Sequence, residues 1–274
     1  MMKLDNIVIA VSISSVMIVL AYLLFYYKTD AYVINNPVDI KHEENINITR
    51  LHKVPIILYH NIDGKGTYSI ELKKLKNQFD LLKKHLIKVI SLQTLESHIN
   101  GHNPFNQKVV SITFDDGYRS MYTKLMPLAD SLNYPFTLFV YTDNIYYKSK
   151  NNLTWEMVKE LHDHNIDIQC HSQSHPDLVK LYNKRTMQSK YELYREIYLS
   201  KKILELYLQK PIYYFAFPYG RYTIELTELC RDAGYKRVFS TDYGPNIVIH
   251  DNFCLRRHHI KSNYRNEKVL TIAW

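Results

Sequence analysis

From Val54 to about Ile260 the sequence switches repeatedly between short apolar runs and longer amphipathic stretches, and this alternation limits the choice of fold. "VPIILYH", "KVVSITFDD", "PFTLFVYT", "IDIQCH" and "IYYFAFP" read as buried strands, with further strands near "KRVFST" and "FCLRRHHI". Helical patterns lie between them. "IELKKLKNQFDLLKKHL" sets Leu72, Leu75, Phe79, Leu82 and Leu86 at helical spacing, and "LTWEMVKELHDHN" is amphipathic. "YRSMYTKLMPLADSLN" predicts a helix kinked near Pro127, residues 185–208 a long helix, and "TIELTELCRDAG" another. Strands alternating with helices predict an α/β fold built on a parallel sheet or barrel. Polar clusters follow these strands: Tyr-His after the first, Asp-Asp after a later one, then His-x-x-x-His and Pro-Tyr-Gly. In a β/α barrel the strand ends are where side chains converge on a site.

Asp115 and Asp116 stand side by side where the apolar run "VVSITF" stops. As a solvated turn they would be inert, with Gly117 supplying a permissive backbone. At the end of a buried strand, desolvation and mutual repulsion would raise one pKa unless a cation offsets them. A divalent metal resolves the conflict, with one carboxylate as ligand and the other beside the water it activates. His171 and His175 in "QCHSQSHPDL" are the best partners, because on a helical turn two imidazoles four apart face one ion. Two neutral imidazoles and a carboxylate suit a catalytic divalent metal with a position left for water. The competing reading is a polar turn whose histidines cap a helix. Pro218, Tyr219 and Gly220 read as a tight turn, one that can also aim a backbone N–H at a developing oxyanion.

The 274 residues and 46% hydrophobic content suffice for one large domain or two small ones. The formal net charge is +8 and the sequence pI about 9.1, yet there is no Lys/Arg stripe or nucleic-acid motif, so no nucleic-acid partner is expected. Cys170, Cys230 and Cys254 are odd in number and far apart, and are expected as free thiols, although one pair would bridge in an oxidising compartment. Residues 6–27 carry no charged side chain, and "IVIAVSISSVMIVLAYLLFYY" is long enough to span a bilayer as a helix. Residues 1–27 are therefore read as a membrane anchor; the alternative is a cleaved signal peptide, against which stand the long apolar run and the absence of a small-residue cleavage site. Asn-rich residues 28–50 read as a polar stalk, and residues 51–274 as one domain lying outside the cytoplasm in either case.

In this order, T-F-D-D-G, H-S-x-x-H and P-Y-G resemble the polysaccharide deacetylases with a NodB-homology domain, carbohydrate esterase family four. The resemblance covers roughly residues 54–260. It implies a distorted (β/α) barrel and metal-dependent removal of acetyl groups from N-acetylated sugars. Carried over by position, Asp115 matches the catalytic base, Asp116, His171 and His175 the metal ligands, and Tyr219 the residue whose backbone N–H helps form the oxyanion hole. The family usually ends with a strand bearing a general-acid histidine, which this sequence lacks. His60 in "IILYHNI" instead matches the permuted arrangement of the poly-β-1,6-N-acetylglucosamine deacetylases, where the acid histidine comes first.

Two departures qualify the resemblance. Ala216 stands where the family often has an arginine that steadies the base, and Arg257 in "LRRHHI" is a candidate replacement. Of the family's acid-tuning motif only the aspartate has a counterpart, Asp242 after the strand "RVFST", since no Trp follows it closely. The expected cofactor is Zn2+, with Ni2+, Co2+ or Fe2+ compatible with the same donors. The expected partners are an N-acetylated polysaccharide, the membrane, and a polysaccharide synthase or export protein; an exopolysaccharide is preferred as substrate, with peptidoglycan, chitin-like oligosaccharides and a lipid-linked aminosugar as alternatives. An O-acetyl esterase and a carbohydrate-binding pseudoenzyme are the competing functions.

Overall fold

The structure, a computed structural model, describes residues 53–101, 105–147, 149–244, 246–247 and 252–272. The expected membrane segment and stalk lie outside the described residues. No helix among the described residues is long and apolar enough to cross a membrane.

Six strands form the frame: β1 (Ile56–Tyr59), β2 (Val109–Phe114), β3 (Phe136–Val140), β4 (Asp167–Cys170), β5 (Tyr214–Ala216) and β6 (Arg237–Phe239). Each pairs in parallel with the next, so order in space follows order in the chain. The sheet curls until one stretch reaches both edges. Cys254–Leu255 pairs with β6, and His258–His259, only two residues further on, pairs with β1. This curled parallel sheet is one of the two outcomes, sheet or barrel, expected from the alternation, and it matches the distorted barrel that the resemblance implies.

Strand side chains divide the core in two. Ile56, Phe139, Tyr214, Ala216 and Phe239 belong to a small cluster inside the curl. Their neighbours Ile57, Leu138, Phe215 and Val238 belong to a larger cluster with the surrounding helices. Successive strand residues point to opposite faces, and both faces are covered, so the strands read as continuous apolar runs. Helix Leu92–Asn100, capped by Ser91, covers the end where strands begin, and Glu96 accepts a 2.8 Å hydrogen bond from the Tyr214 hydroxyl. The opposite end, where strands finish, is left for the site.

One local expectation changes and two gain detail. Helix Leu72–Lys84 buries Leu75, Phe79 and Leu82, but Leu86 lies beyond its end at φ 55° and is 83% exposed; Ile87 enters the core instead. The kink near Pro127 is a widened π turn, Met121–Leu125, followed by helix Met126–Leu132; proline lacks the N–H that would bond the preceding turn. The long helix begins at Met187, where Thr186 and Ser189 form a reciprocal cap, and it contains a π turn at Arg195–Leu199 before ending at Leu208. Cys170, Cys230 and Cys254 are free.

Candidate active site

The loop after β2 carries both aspartates. Asp116 and Gly117 take left-handed backbone, at φ 77° and 73°, turning the chain sharply off the strand. A side chain at Gly117 would lie 3.3 Å from Val140, so glycine suits this turn sterically as well as conformationally. Asn144 Nδ2 donates to the Asp116 carbonyl at 2.7 Å and pins the turn.

The histidines follow β4, but not on the expected helical turn. Residues 171–176 form an irregular loop in which Ser172 and His175 are left-handed, at φ 73° and 61°. The Ser172 hydroxyl accepts from the His175 N–H at 3.0 Å. Glu196, buried in the π turn of the long helix, accepts from the backbone N–H groups of Gln173 at 2.9 Å and Ser174 at 2.8 Å, and from the Ser174 hydroxyl at 2.6 Å. Left-handed non-glycine residues cost about 1–3 kcal/mol each and persist where surrounding contacts hold them.

These loops bring Asp116, His171 and His175 together. Asp116 Oδ1 lies 3.6 Å from His171 Nε2 and 3.5 Å from His175 Nε2, longer than good hydrogen bonds. That oxygen is buried and has no hydrogen-bond partner among the described residues. One ligating atom from each of the three residues falls within 4.8 Å of the others. Two donors about 2.0–2.1 Å from a tetrahedral ion would be about 3.4 Å apart, so the spacing of Asp116 from each imidazole suits a divalent metal. His171 Nδ1 meets the Ala216 carbonyl at 2.8 Å; Nδ1–H donates there, leaving Nε2 as the ligating nitrogen.

The electrostatics agree with that fit. Burial, then His171, lowers the pKa of His175 to about 4, so it is a neutral donor. Burial opposes a charge on His171, but Asp115 and Asp116 outweigh it and raise its pKa, so a proton competes for the same nitrogen. Burial would raise the Asp116 carboxyl, yet His171, His60 and His175 hold it well below the carboxylate range.

Asp115 has a different setting. It is buried, and both its oxygens accept from the Arg257 guanidinium at 2.7 Å. Arg257 comes from the stretch bridging the two sheet edges, is 1% exposed, and lies over the rings of Phe139 and Phe239. Burial alone would raise the Asp115 pKa; Arg257 outweighs it and lowers it. Asp115 Oδ2 also lies 3.7 Å from His171 Nε2.

His60 follows directly on β1, and its pKa is lowered by burial although the charges of Asp116 and Asp115 act to raise it. Its Nδ1 lies 3.1 Å from His259 Nε2, and the two rings stack with centroids 4.5 Å apart. Tyr219 sits at φ 60° in the Pro218–Gly220 turn, its ring edge-on to His175 at 4.8 Å and 62% exposed. A side chain at Gly220 would collide with the Thr241 hydroxyl and lie 2.6 Å from its amide nitrogen. Beside Tyr219 runs a groove of about 520 Å³ lined by Asp177, Lys180, Arg221, Tyr222 and Asp242, among others. Asp242 accepts from the Tyr222 hydroxyl at 2.9 Å, so its bond is to Tyr222, not to His60.

Sequence reasoning passed over Glu196 and His259. A glutamate inside a helix gives no hint that its carboxylate holds a loop from another strand. His259 carried one signal, the doubled histidine of "RRHHI".

The family model for polysaccharide deacetylase matches residues 102–238. The chain belongs to the polysaccharide deacetylase family. It is 26% identical over 192 residues to Bacillus subtilis YxkH, over 70% of this chain and 66% of that protein. The chain thus spans just under two thirds of that relative's length. It is 23% identical over 243 residues to the poly-beta-1,6-N-acetyl-D-glucosamine N-deacetylase of Staphylococcus aureus, over 80% of this chain and 83% of that protein. The fold is shared with the Streptococcus pyogenes deacetylase PplD, at TM-score 0.72 and 23% identity, over 81% of this chain and 98% of that one.

Proposed function

We propose that this chain is a metal-dependent N-deacetylase acting on N-acetylglucosamine units of an extracytoplasmic polysaccharide, with a poly-N-acetylglucosamine exopolysaccharide preferred. The observation that carries the reading is a buried carboxylate, Asp115, clamped by Arg257 beside the three donors Asp116, His171 and His175.

A divalent cation on those donors, zinc first and nickel, cobalt or iron next, would polarise the acetyl carbonyl and acidify a water. Asp115, ionised because Arg257 lowers its pKa, accepts the proton of the attacking water. The Tyr219 backbone N–H donates to the developing oxyanion; losing such a donor typically costs about 2.7–4 kcal/mol. His60 protonates the departing nitrogen, so the C–N bond breaks to an amine and not an amide anion. The exposed Tyr219 ring and the neighbouring groove offer room for adjoining sugars of the polymer. Residues 1–27, as an anchor or signal segment, and the stalk at 28–50 would place the domain where a synthase or export partner delivers that polymer.

The test is acetate release from a β-1,6-linked N-acetylglucosamine oligomer and from an acetylated sugar ester, each with and without chelator. Chelator-sensitive release from the oligomer is expected. Cleavage of the ester alone would assign an O-acetyl esterase, and oligomer binding without any release a carbohydrate-binding pseudoenzyme.

A further inference from the structure

His60 has a built partner. His259 is held in register by pairing with Leu58 of β1, and the Ile260 N–H donates to the Leu58 carbonyl at 2.9 Å. Leu58 and His60 are two apart, so their side chains leave the same face of the strand. The His259 ring therefore lies alongside His60, with Nε2 to Nδ1 at 3.1 Å. Tyr68 stacks on His259 at 4.3 Å, at an interplanar angle of 15°. The Lys261 ammonium lies over the outer Tyr68 ring at 6.0 Å. A single hydrogen bond lets a ring pivot; stacked rings with a bond at one nitrogen fix both tilt and position.

We propose that His259 is a positioning residue for the general acid: its Nε2 accepts the Nδ1–H of His60, so that in the His60 imidazolium the proton on Nε2 is the transferable one. This rests on the reading of His60 as the acid. A neutral imidazole here does what a carboxylate does behind other catalytic histidines, without placing a further negative charge beside Asp115 and Asp116. Burial, then His60, lowers the His259 pKa to about 3, which keeps that acceptor lone pair free. The protons balance. As the C–N bond breaks, His60 Nε2–H passes to nitrogen, leaving neutral His60 with its proton on Nδ1, still bonded to His259. The proton taken from water by Asp115 returns to His60 through solvent as acetate leaves.

The experiment compares two leaving groups. An amine must be protonated to depart, whereas p-nitrophenolate leaves from p-nitrophenyl acetate unassisted. His259→Phe, which keeps a stacking ring but has no acceptor, is expected to lose about 10- to 100-fold in kcat on the oligomer, part of the roughly 10²–10⁴ that acid catalysis supplies. KM should stay close to wild type, and the loss on the aryl ester should be at least tenfold smaller. His259→Gln, whose oxygen can accept near the Nε2 position, is expected to restore most of the oligomer activity. Equal losses on both substrates, no loss on either, or no recovery in a folded glutamine variant would overturn the proposal. His60→Ala separates the two readings. If it keeps full oligomer activity, the acid assignment falls; if it is inactive on oligomer while His259→Phe is not, only the role of His259 falls.

Discussion

Arg257 and Asp115 are 142 residues apart in the chain and meet by two parallel 2.7 Å hydrogen bonds in the buried interior of the curled sheet. The pair joins the loop after β2 to the stretch that bridges the sheet edges. Its position in the fold gives it two consequences, one for stability and one for the base.

Removing the arginine strands a buried carboxylate. Arg257→Ala should destabilise the domain by about 3–5 kcal/mol, read as a lower urea midpoint. The native Asp115 pKa lies below its ordinary value of 3.8, so the pair's contribution is complete above that pH and disappears as pH falls through the lower native value. Wild type itself should therefore lose this contribution in acid below about pH 4, whereas its advantage over the variant should begin to shrink at the higher pH where the buried, unpaired Asp115 of the variant takes up a proton. In Arg257→Lys, which cannot make the two-pronged contact, the acid limb of the activity profile should move to higher pH, because Asp115 must be ionised to act.

Asp115→Asn keeps shape and removes the proton acceptor. Acetate release should fall by at least about 10²-fold, while zinc content after dialysis stays at wild-type level, since the three donors are untouched. Loss of zinc along with activity would make Asp115 a ligand.

Asp116→Ala deletes the shared donor between the two imidazoles. Zinc titration by calorimetry should show much weaker binding, and activity should not return on adding zinc at concentrations that saturate wild type. For wild type, affinity should fall with acidity as His171, whose pKa the two aspartates raise, takes up a proton.

Glu196→Ala should leave the N–H of buried Gln173 unpaired and take away the partner of the Ser174 N–H and hydroxyl. About 1–3 kcal/mol of stability should be lost, with zinc affinity about 10- to 100-fold weaker as the His171–His175 loop loosens. Thermal unfolding and zinc titration of one preparation check both.

The alternation of apolar runs and helical stretches was enough to specify parallel strands and covering helices, since burial on both faces writes itself into every strand. The Asp-Asp and His-x-x-x-His motifs were legible as well, because Asp115 and His171 each follow directly on a strand that ends at one face of the barrel. The loop that presents the histidines was not. Its left-handed residues Ser172 and His175 are set by Glu196, and no periodicity announces a contact made by a side chain from a distant helix. Leu86 misled for a related reason: it kept the helical spacing after the helix had ended.

Local pattern thus determined which residue types stand at which strand end, because side-chain direction and burial repeat with the backbone. Only the closed fold decided who faces whom. The two residues between Leu255 and His258 carry the chain from one sheet edge to the other, placing Arg257 on Asp115 and His259 beside His60. That closure depends on the accumulated curl of six strands, a sum over the whole sheet that no short stretch of sequence contains.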